Sequence, residues 1–398
     1  MLPPSVRDEL GEDHLCFFVR SVVERLDLSV FQQSYSAEGG ELYAPELMLG
    51  VWLYAYALGI TSARQVERRM VEDLAFRYLG AGERVDNWAL SAFRRRHGRA
   101  LNDAFTQVLP PQRQKTRRRG PRLEWAKGMG MVKLGRVAID STRIAANASK
   151  DCVDSEQALR STRAALRRQV RAWQKAADKD DQEPGGLEVA IGELNKALNE
   201  LPRRMERLKK SGLKKLSRTD EGARFLRQRG GFVLGYTGEI AVSDDHLIVA
   251  QRVTQNATDN ASLGPMIDEV AERCGAPPGA ALADSGFFSI ANIEQLEQQN
   301  IDAYVPDSNL AAELNLGTRC RVKARAAAHR RMRAKLRSPD GQAAYARRKA
   351  VVEPVFGVLK QQRGMRQFRT RGLQNVNNEF TLANLAYNIT RLKSLVAA

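Results

Sequence analysis

The chain has 398 residues, 43% of them hydrophobic, which is enough for a packed core and argues against global disorder. Its formal net charge of +17 indicates a polyanionic partner, nucleic acid first, although charge can also serve solubility alone. We find no run of 18 apolar residues and no secretory leader pattern, so a membrane partner is not expected. The four cysteines lack zinc-ligand spacing, which is typical of free thiols in a cytoplasmic protein.

Residues 1–111 have the spacing of short helices joined by tight turns. Pro45 predicts the first residue of a helix that ends at Gly59. Asp86 can cap a later helix, in which we expect Trp88 and Phe93 to face inward. The basic residues expected mostly on its outer face are Arg94, Arg95, Arg96 and Arg99. This pattern predicts either a DNA-binding module of the helix-turn-helix type or an ordinary helical bundle with a solvated basic face.

Residues 112–135 form a basic linker, which can follow a phosphate backbone or simply connect two domains. The apolar run Val137-Ala138-Ile139 then stops at Asp140, which predicts a buried strand with a carboxylate at its carboxyl end. Residues from about 155 to 229 read as helical, are rich in Lys and Arg, and have few apolar positions. We interpret that stretch, punctuated by Pro202, as an insertion into the surrounding domain.

Alternating residues between 231 and 254 predict a β-hairpin, and the run Ala280-Ala281-Leu282-Ala283 predicts a buried strand that ends at Asp284. Ser289 can cap a helix, and a last strand is expected at residues 303–306. These elements favour a mixed α/β sheet with helices on its faces. Farther on, we expect a turn at residues 338–341, a helix at residues 342–363 interrupted by Pro354, and an amphipathic helix at residues 376–395.

Three carboxylates stand out by their positions. Asp140 and Asp284 each end an apolar strand, and Glu353 lies among apolar residues on a very basic helix. Hard oxygen ligands of this kind suit Mg²⁺ or Mn²⁺, and two such ions support phosphoryl transfer. An aspartate at the end of a strand is also a common helix cap or turn residue, so position alone leaves both interpretations open.

The helix around Glu353 carries further charge. Tyr345 and Lys360 lie about two turns on either side of Glu353 and share its face, and Arg348 and Lys349 lie near the same end. Such a face is typical of a site for metal-bound phosphate, but a solvated charged helix has the same pattern.

Several blocks of this sequence resemble those of DDE-class bacterial insertion-sequence transposases. The blocks are Asp140-Ser141-Thr142-Arg143, Ala283-Asp284-Ser285-Gly286-Phe287-Phe288, Glu353-Pro354-Val355-Phe356-Gly357 and Gln367-Phe368-Arg369-Thr370-Arg371-Gly372. The stretch from Pro45 to His97 looks like the helical domain that these proteins carry. The resemblance covers nearly the whole chain in order. The start at Met1 is slightly short for the family, so we expect a few residues to precede it.

The resemblance implies an all-α N-terminal DNA-binding domain at 1–111 and a ribonuclease-H-like catalytic domain at 136–372 with a helical insertion, followed by a C-terminal helix at 373–398. It implies a DDE triad of Asp140, Asp284 and Glu353 that binds two Mg²⁺ or Mn²⁺ ions. The Tyr-Arg-Glu-Lys motif of the family maps to Tyr345, Arg348, Glu353 and Lys360, although Lys349 occupies the position four residues before the glutamate.

The resemblance also implies the partners and the reaction. The partners would be double-stranded DNA, at element ends and target, and a second copy of the chain in a homodimer on DNA within the nucleoid. The reaction would be cleavage at terminal inverted repeats and joining of the 3′ ends to target DNA. Two alternatives stay open at this point: a nuclease of the same fold without strand transfer, and a non-catalytic DNA-binding protein descended from a transposase.

Overall fold

The computed structural model describes residues 6–35, 43–109, 134–177, 185–228, 230–317 and 322–397. The predicted basic linker therefore lies outside the described residues, apart from its last two positions. Cys320 lies outside them as well, and the described cysteines Cys16, Cys152 and Cys274 are free, as predicted.

Short helices make up the described N-terminal region. They are α1 (Leu15–Val23), α2 (Ser29–Tyr35), α3 (Pro45–Ala57), α4 (Ala63–Glu72), α5 (Leu74–Leu79), α6 (Asn87–Arg96) and α7 (Gly98–Val108). Pro45 is the first residue of α3, and Gly59 after its end has a φ of 75°, the left-handed conformation that favours glycine. The Asp86 side chain accepts a hydrogen bond from the Ala89 amide at 2.7 Å, so the predicted cap of α6 is confirmed.

Two orientations predicted for α6 are wrong. Trp88 is 64% exposed, whereas Arg94 is only 3% exposed. The Arg94 guanidinium donates to the Tyr56 hydroxyl and the Thr61 carbonyl, both at 2.9 Å, and lies 4.2 Å from the ring centroid of Trp52. These acceptors and the aromatic face offset the cost of burying a charge, so α6 turns Arg94 inward.

The central sheet is mixed, as predicted. Its strands are β1 (Arg136–Ala145), β4 (Arg224–Gln228), β5 (Gly231–Ser243), β6 (Ile248–Thr254), β7 (Ala280–Ala283) and β8 (Asp302–Tyr304). The order β6-β5-β1-β7-β8 has antiparallel pairing on the β5 side of β1 and parallel pairing on the β7 side, while β4 pairs with the first residues of β5. The predicted hairpin is β5–β6.

Strand β1 does not stop at Asp140, contrary to the prediction. It continues to Ala145 because β5 pairs with it over the whole stretch from Val137 to Ala145. The parallel partner β7 pairs only as far as Ala283, opposite Ile139. Asp140 therefore lies in the middle of β1, at the point where β1 loses its partner on one side.

Helices cover the sheet and form the insertion. They are α8 (Glu156–Ala177), α9 (Gly185–Ser211), α10 (Leu263–Cys274), α11 (Ile290–Gln298), α12 (Ser308–Leu316), α13 (Ala327–Arg337), α14 (Pro339–Gly357) and α15 (Leu373–Val396). The insertion is helical only to Ser211, and Pro202 lies within α9. A two-stranded sheet of β2 (Val153–Ser155) and β3 (Lys215–Ser217) then closes it over a small leucine core.

The region predicted as a turn at residues 338–341 is the start of α14. Ser338 caps this helix by accepting from the Gly341 amide at 3.1 Å, and Pro339 is its first residue. Pro354 lies inside α14 and does not interrupt it. The α-helix ends at Gly357 and is followed directly by a π-helical turn, Val358–Gln362, which the sequence did not predict.

Helix α15 is not amphipathic, contrary to the prediction. Every residue from Asn378 to Ile389 is buried, because α15 packs against α3 and α7 on one side and against β6 on another. The N-terminal helices and the sheet thus share one hydrophobic core. Within the described ranges, no helix is long and apolar enough to span a bilayer.

Candidate active site

Asp140 and Asp284 come together through the parallel pairing of β1 and β7. Ile139 pairs with Ala283, so the two aspartates occupy the next position on adjacent strands. Burial raises the pKa of Asp140 to about 6; the negative charge of Asp284 adds to this rise, and the neighbouring Arg348 opposes it. The parallel pairing therefore places the two aspartates side by side where β7 ends beside the middle of β1.

Helix α14 and the π turn lie over this face of β1. Arg348 donates from Nη1 to Asp140 Oδ2 at 3.1 Å. Lys360 donates from Nζ to Thr142 Oγ1 at 2.6 Å and to the Arg143 carbonyl at 3.1 Å. Thr142 is two residues beyond Asp140 and so faces the same side of the sheet. Lys349 is exposed, and it is Arg348 that contacts Asp140.

The π turn determines where Lys360 lies. A π turn closes i to i+5 and is wider than an α turn, so it changes the direction of the side chains that follow α14. Burial lowers the pKa of Lys360, which contacts the neutral groups of Thr142 and Arg143. The α-helical spacing predicted that this lysine lies near Glu353 on one helix face, but it did not predict the π turn that positions the lysine.

Tyr345 and Glu353 occupy different surroundings on α14. Tyr345 is half-buried, with its ring centroid 5.9 Å from Cζ of Arg348, and burial raises the pKa of its hydroxyl. Glu353 is exposed. Among the described residues, no three or more His, Cys, Asp or Glu side chains form a group that could hold a metal ion. The gathering of Glu353 with the two aspartates therefore stays a prediction.

Sequence reasoning missed an ion pair on the opposite face of β1. Arg143 donates to Asp259 Oδ1 at 3.1 Å, and also to Thr237 Oγ1 at 2.8 Å. A Cβ at Gly286 would lie 3.0 Å from Asp284 Oδ1 and 3.3 Å from Asp259 Oδ2, so the two carboxylates approach each other across this glycine. Arg143 thus holds the segment that carries Asp259, through that carboxylate and the Ala257 carbonyl.

The predicted basic residues of α6 divide into two groups. Arg95 and Arg96 are exposed, and Arg96 lies 5.7 Å from the ring centroid of Trp88. Arg94 is buried, so its side chain does not reach the surface where DNA could contact it. Asn378 of α15 donates from Nδ2 to the carbonyls of Arg94 and Arg95, both at 3.1 Å, and so links α6 to α15.

Two of the three predicted metal ligands, Asp140 and Asp284, are arranged in a way that suits a hard divalent cation. Asp140 and Asp284 offer neighbouring carboxylate oxygens, and the negative charge of Asp284 adds to the rise in the pKa of Asp140. Arg348 supplies one positive charge to this pair from the side of α14. The arrangement suits the binding of a cation together with a phosphate, since both carboxylates and two basic side chains meet at one face of β1.

A mixed sheet with paired aspartates at its centre and basic groups above them defines a ribonuclease-H-like phosphoryl-transfer fold. A family model described as a transposase DDE domain matches residues 136–389, and another described as a transposase domain matches residues 4–96. The chain belongs to the DDE transposase family. It is thus a transposase of a family that binds DNA and generally uses divalent metal ions. No curated protein and no solved structure matches the chain.

Proposed function

We propose that this transposase cuts DNA at the terminal inverted repeats of an insertion sequence and joins the 3′ ends to target DNA. The observation that carries the proposal is the position of Asp140 in β1 beside Asp284, which directly follows the parallel strand β7, with Arg348 bonded to Asp140. We further propose that residues 1–111 read the element end, that residues 136–372 perform the chemistry, and that two copies act together because an element has two ends.

Asp140, Asp284 and Glu353 are the residues proposed to hold two Mg²⁺ or Mn²⁺ ions. Ions held there would supply charge that activates the attacking oxygen and stabilises the leaving oxygen of the phosphodiester. Glu353 lies on α14 between Arg348 and Lys360, both of which contact β1. Glu353 is exposed, and its side chain would have to turn toward the two aspartates to complete the set.

The basic residues of α14 and the π turn have a separate role in the proposal. Arg348 neutralises Asp140 in the structure, and Lys360 rests on Thr142 beside it. The side chains of Arg348 and Lys360 are thereby held beside the carboxylates, where the phosphate next to the broken bond would lie. Tyr345 packs near Arg348, which limits the movement of the guanidinium and leaves a ring for contact with a nucleotide.

The test compares single-turnover cleavage of end DNA by the parent protein and by Asp284→Asn in Mg²⁺. We expect cleavage to fall by more than about 100-fold, the upper end of the loss seen when residues that only support a metal ligand are changed. Asp245→Asn is the matched control, because Asp245 is an exposed aspartate in the β5–β6 turn, and it should cleave like the parent. Glu353→Gln should lose as much activity as Asp284→Asn.

The products of the same assay separate the alternatives. Joined products with the parent support a transposase that transfers strands, and cleavage without joining would leave only a nuclease. Parent-like cleavage by Asp284→Asn would overturn the assignment of the site. Parent-like cleavage by Glu353→Gln would remove Glu353 from it while leaving the aspartate pair in place.

A further inference from the structure

Residues 366–372, which follow the π turn, are tied to separate parts of the fold by backbone hydrogen bonds. The Phe368 amide donates to the carbonyl of Ala145, the last residue of β1, at 2.9 Å. The Gly372 amide donates to Asp220 Oδ1 at 3.1 Å, just before β4. The segment thus joins the strand that carries the active-site aspartate to the end of the insertion.

A buried carboxylate of α15 holds the middle of the same segment. Glu379 is fully buried and accepts from the Arg369 amide at 3.0 Å and from the Thr370 amide and hydroxyl at 2.8 and 2.7 Å. The Arg369 side chain donates from Nε to Thr61 Oγ1 at 3.2 Å, which adds a contact with the N-terminal helices. The backbone here is therefore preorganised by elements on every side.

Three arginines of this segment are exposed while their neighbours Phe368 and Thr370 are buried. We call them the arginine strip: Arg366, Arg369 and Arg371. Each is anchored through Nε, to the Lys360 carbonyl at 3.2 Å, to Thr61 and to the Asn147 carbonyl at 2.9 Å respectively. Anchoring by Nε to neutral oxygens fixes each guanidinium and keeps its charge.

Within the described part of the chain, no carboxylate pairs with the arginine strip, whereas many other arginines form ion pairs. In α13, Arg331, Arg333 and Arg337 each form an ion pair with an acid of a neighbouring element. The basic composition of α13 is thus largely neutralised within the fold. The positive charge of the arginine strip is not neutralised in this way, so it stays available to a polyanion.

We propose that the arginine strip binds the phosphate backbone of the element end and guides it from the N-terminal helices to the active site. Arg369 contacts Thr61, whose carbonyl also binds Arg94 of α6. Arg366 contacts Lys360, which in turn contacts Thr142 on the active-site face of β1. The strip therefore spans the distance between the proposed reader and the proposed catalytic centre, and the inference rests on the proposed function for the identity of the DNA.

The chemistry fits phosphates better than bases or protein acids. Guanidinium groups bind phosphate oxygens through paired N–H donors. Nε anchoring leaves both terminal nitrogens of Arg369 and Arg371 for such contacts, whereas Arg366 also donates from Nη2 to the exposed Gln361 side chain and keeps Nη1. Contacts of this kind fix the register of a duplex without reading its sequence. The strip should accordingly contribute equally to end DNA and to a scrambled duplex.

The test measures binding by fluorescence anisotropy at several salt concentrations, without divalent ions and in an Asp284→Asn background. The triple variant Arg366→Gln/Arg369→Gln/Arg371→Gln should bind at least about 10-fold more weakly, on end DNA and on a scrambled duplex alike. The slope of log affinity against log salt should shrink by roughly 2 to 3, because each lost phosphate contact removes about 0.9. Arg331→Gln/Arg337→Gln is the control and should keep the parent slope, since both arginines are already paired.

A second triple variant separates charge from structure. Arg366→Lys/Arg369→Lys/Arg371→Lys keeps the three charges but changes the Nε anchors, and it should retain most of the parent slope. If the lysine variant loses as much as the glutamine variant, or if the glutamine variant keeps the parent slope, the strip does not bind phosphates. A parent protein that binds the scrambled duplex but never cleaves end DNA contradicts the proposed function instead, and the slopes still decide the role of the strip.

Discussion

Asp307 illustrates, at the scale of single residues, how this basic chain buries charge. Its carboxylate receives hydrogen bonds from Arg333 Nε at 2.7 Å and Nη2 at 2.8 Å, and from His329 Nε2 at 2.9 Å. It also caps α12 by accepting from the Asn309 amide at 3.0 Å. Burial alone would raise the pKa of Asp307, but the hydrogen bonds from Arg333 and His329 outweigh it and hold the pKa well below its usual range.

Replacement of Asp307 by asparagine should therefore be costly. The variant removes the negative charge that accepts two hydrogen bonds from the buried Arg333 guanidinium, so we expect the free energy of unfolding to drop by about 3–5 kcal/mol in urea denaturation at pH 7. Asp302→Asn is the comparison: Asp302 pairs with Lys335 at the surface, and its loss should cost less than about 1 kcal/mol. Equal losses in the two variants would contradict the argument from burial.

The pH dependence of that difference has a definite sign. A carboxylate whose pKa is lower in the folded state stabilises the fold above its unfolded pKa, and the stabilisation is lost as the pH falls through the folded value. The gap in stability between parent and Asp307→Asn should thus be full at pH 7 and shrink below about pH 4. A gap that stays constant down to acid pH would mean that Asp307 contributes through the cap of α12 alone.

Prediction from sequence succeeded at this scale where local chemistry decides and failed where a distant partner does. The capping of α6 by Asp86 needs only residues within one turn. Arg94 is different: its burial depends on Tyr56 and the Thr61 carbonyl, which the run of three arginines does not reveal. The ion pair of Arg143 with Asp259 likewise joins residues more than a hundred positions apart.

Helix α14 matters at the scale of elements because it brings Arg348 to the active site. Its start packs very closely against the end of α13: a Cβ at Gly341 would lie 1.9 Å from the carbonyl oxygen of Lys335. The obstacle is backbone, which cannot move aside as a flexible side chain can. Glycine at this position therefore sets the approach of α14 to α13, and through it the position of Arg348.

Gly341→Ala should accordingly displace the start of α14 and weaken the contact of Arg348 with Asp140. We expect a loss of about 1–3 kcal/mol in the free energy of unfolding, as for other overpacked sites, together with slower cleavage of end DNA. Gly357→Ala is the matched control at the other end of the helix, where a Cβ meets nothing within 4 Å. It should stabilise the protein by up to about 1 kcal/mol, and a stabilising Gly341→Ala would contradict the proposed close approach.

The sequence predicted most helices and strands after residue 136, but not how they pair and pack. Alternation identified the β5–β6 hairpin, and the apolar run identified β7, because each pattern is local. The continuation of β1 past Asp140 depends on pairing with β5, almost a hundred residues later. The π turn that positions Lys360 follows from the packing of α14 and has no sequence signature of its own.

At the scale of the whole molecule, α15 joins the N-terminal helices and the sheet in one hydrophobic core. Its two contact faces explain why an amphipathic pattern is the wrong expectation: a helix with partners on both sides is buried all round. The polar residues of α15 are bonded to both partners as well. Asn388 holds the amide and the carbonyl of Ile248 in β6, at 2.9 and 2.8 Å. Asn378 likewise donates to two backbone carbonyls of α6.

Asn378→Ala tests whether the two regions unfold as one. The variant removes the donor for the carbonyls of Arg94 and Arg95 in a buried setting, so we expect a loss of about 1–3 kcal/mol. Because α15 belongs to both cores, hydrogen exchange should show equal losses of protection in α3 and in β1. Protection lost in α3 alone would mean that the N-terminal helices open independently, in which case the arginine strip would connect two moving bodies rather than line one rigid surface.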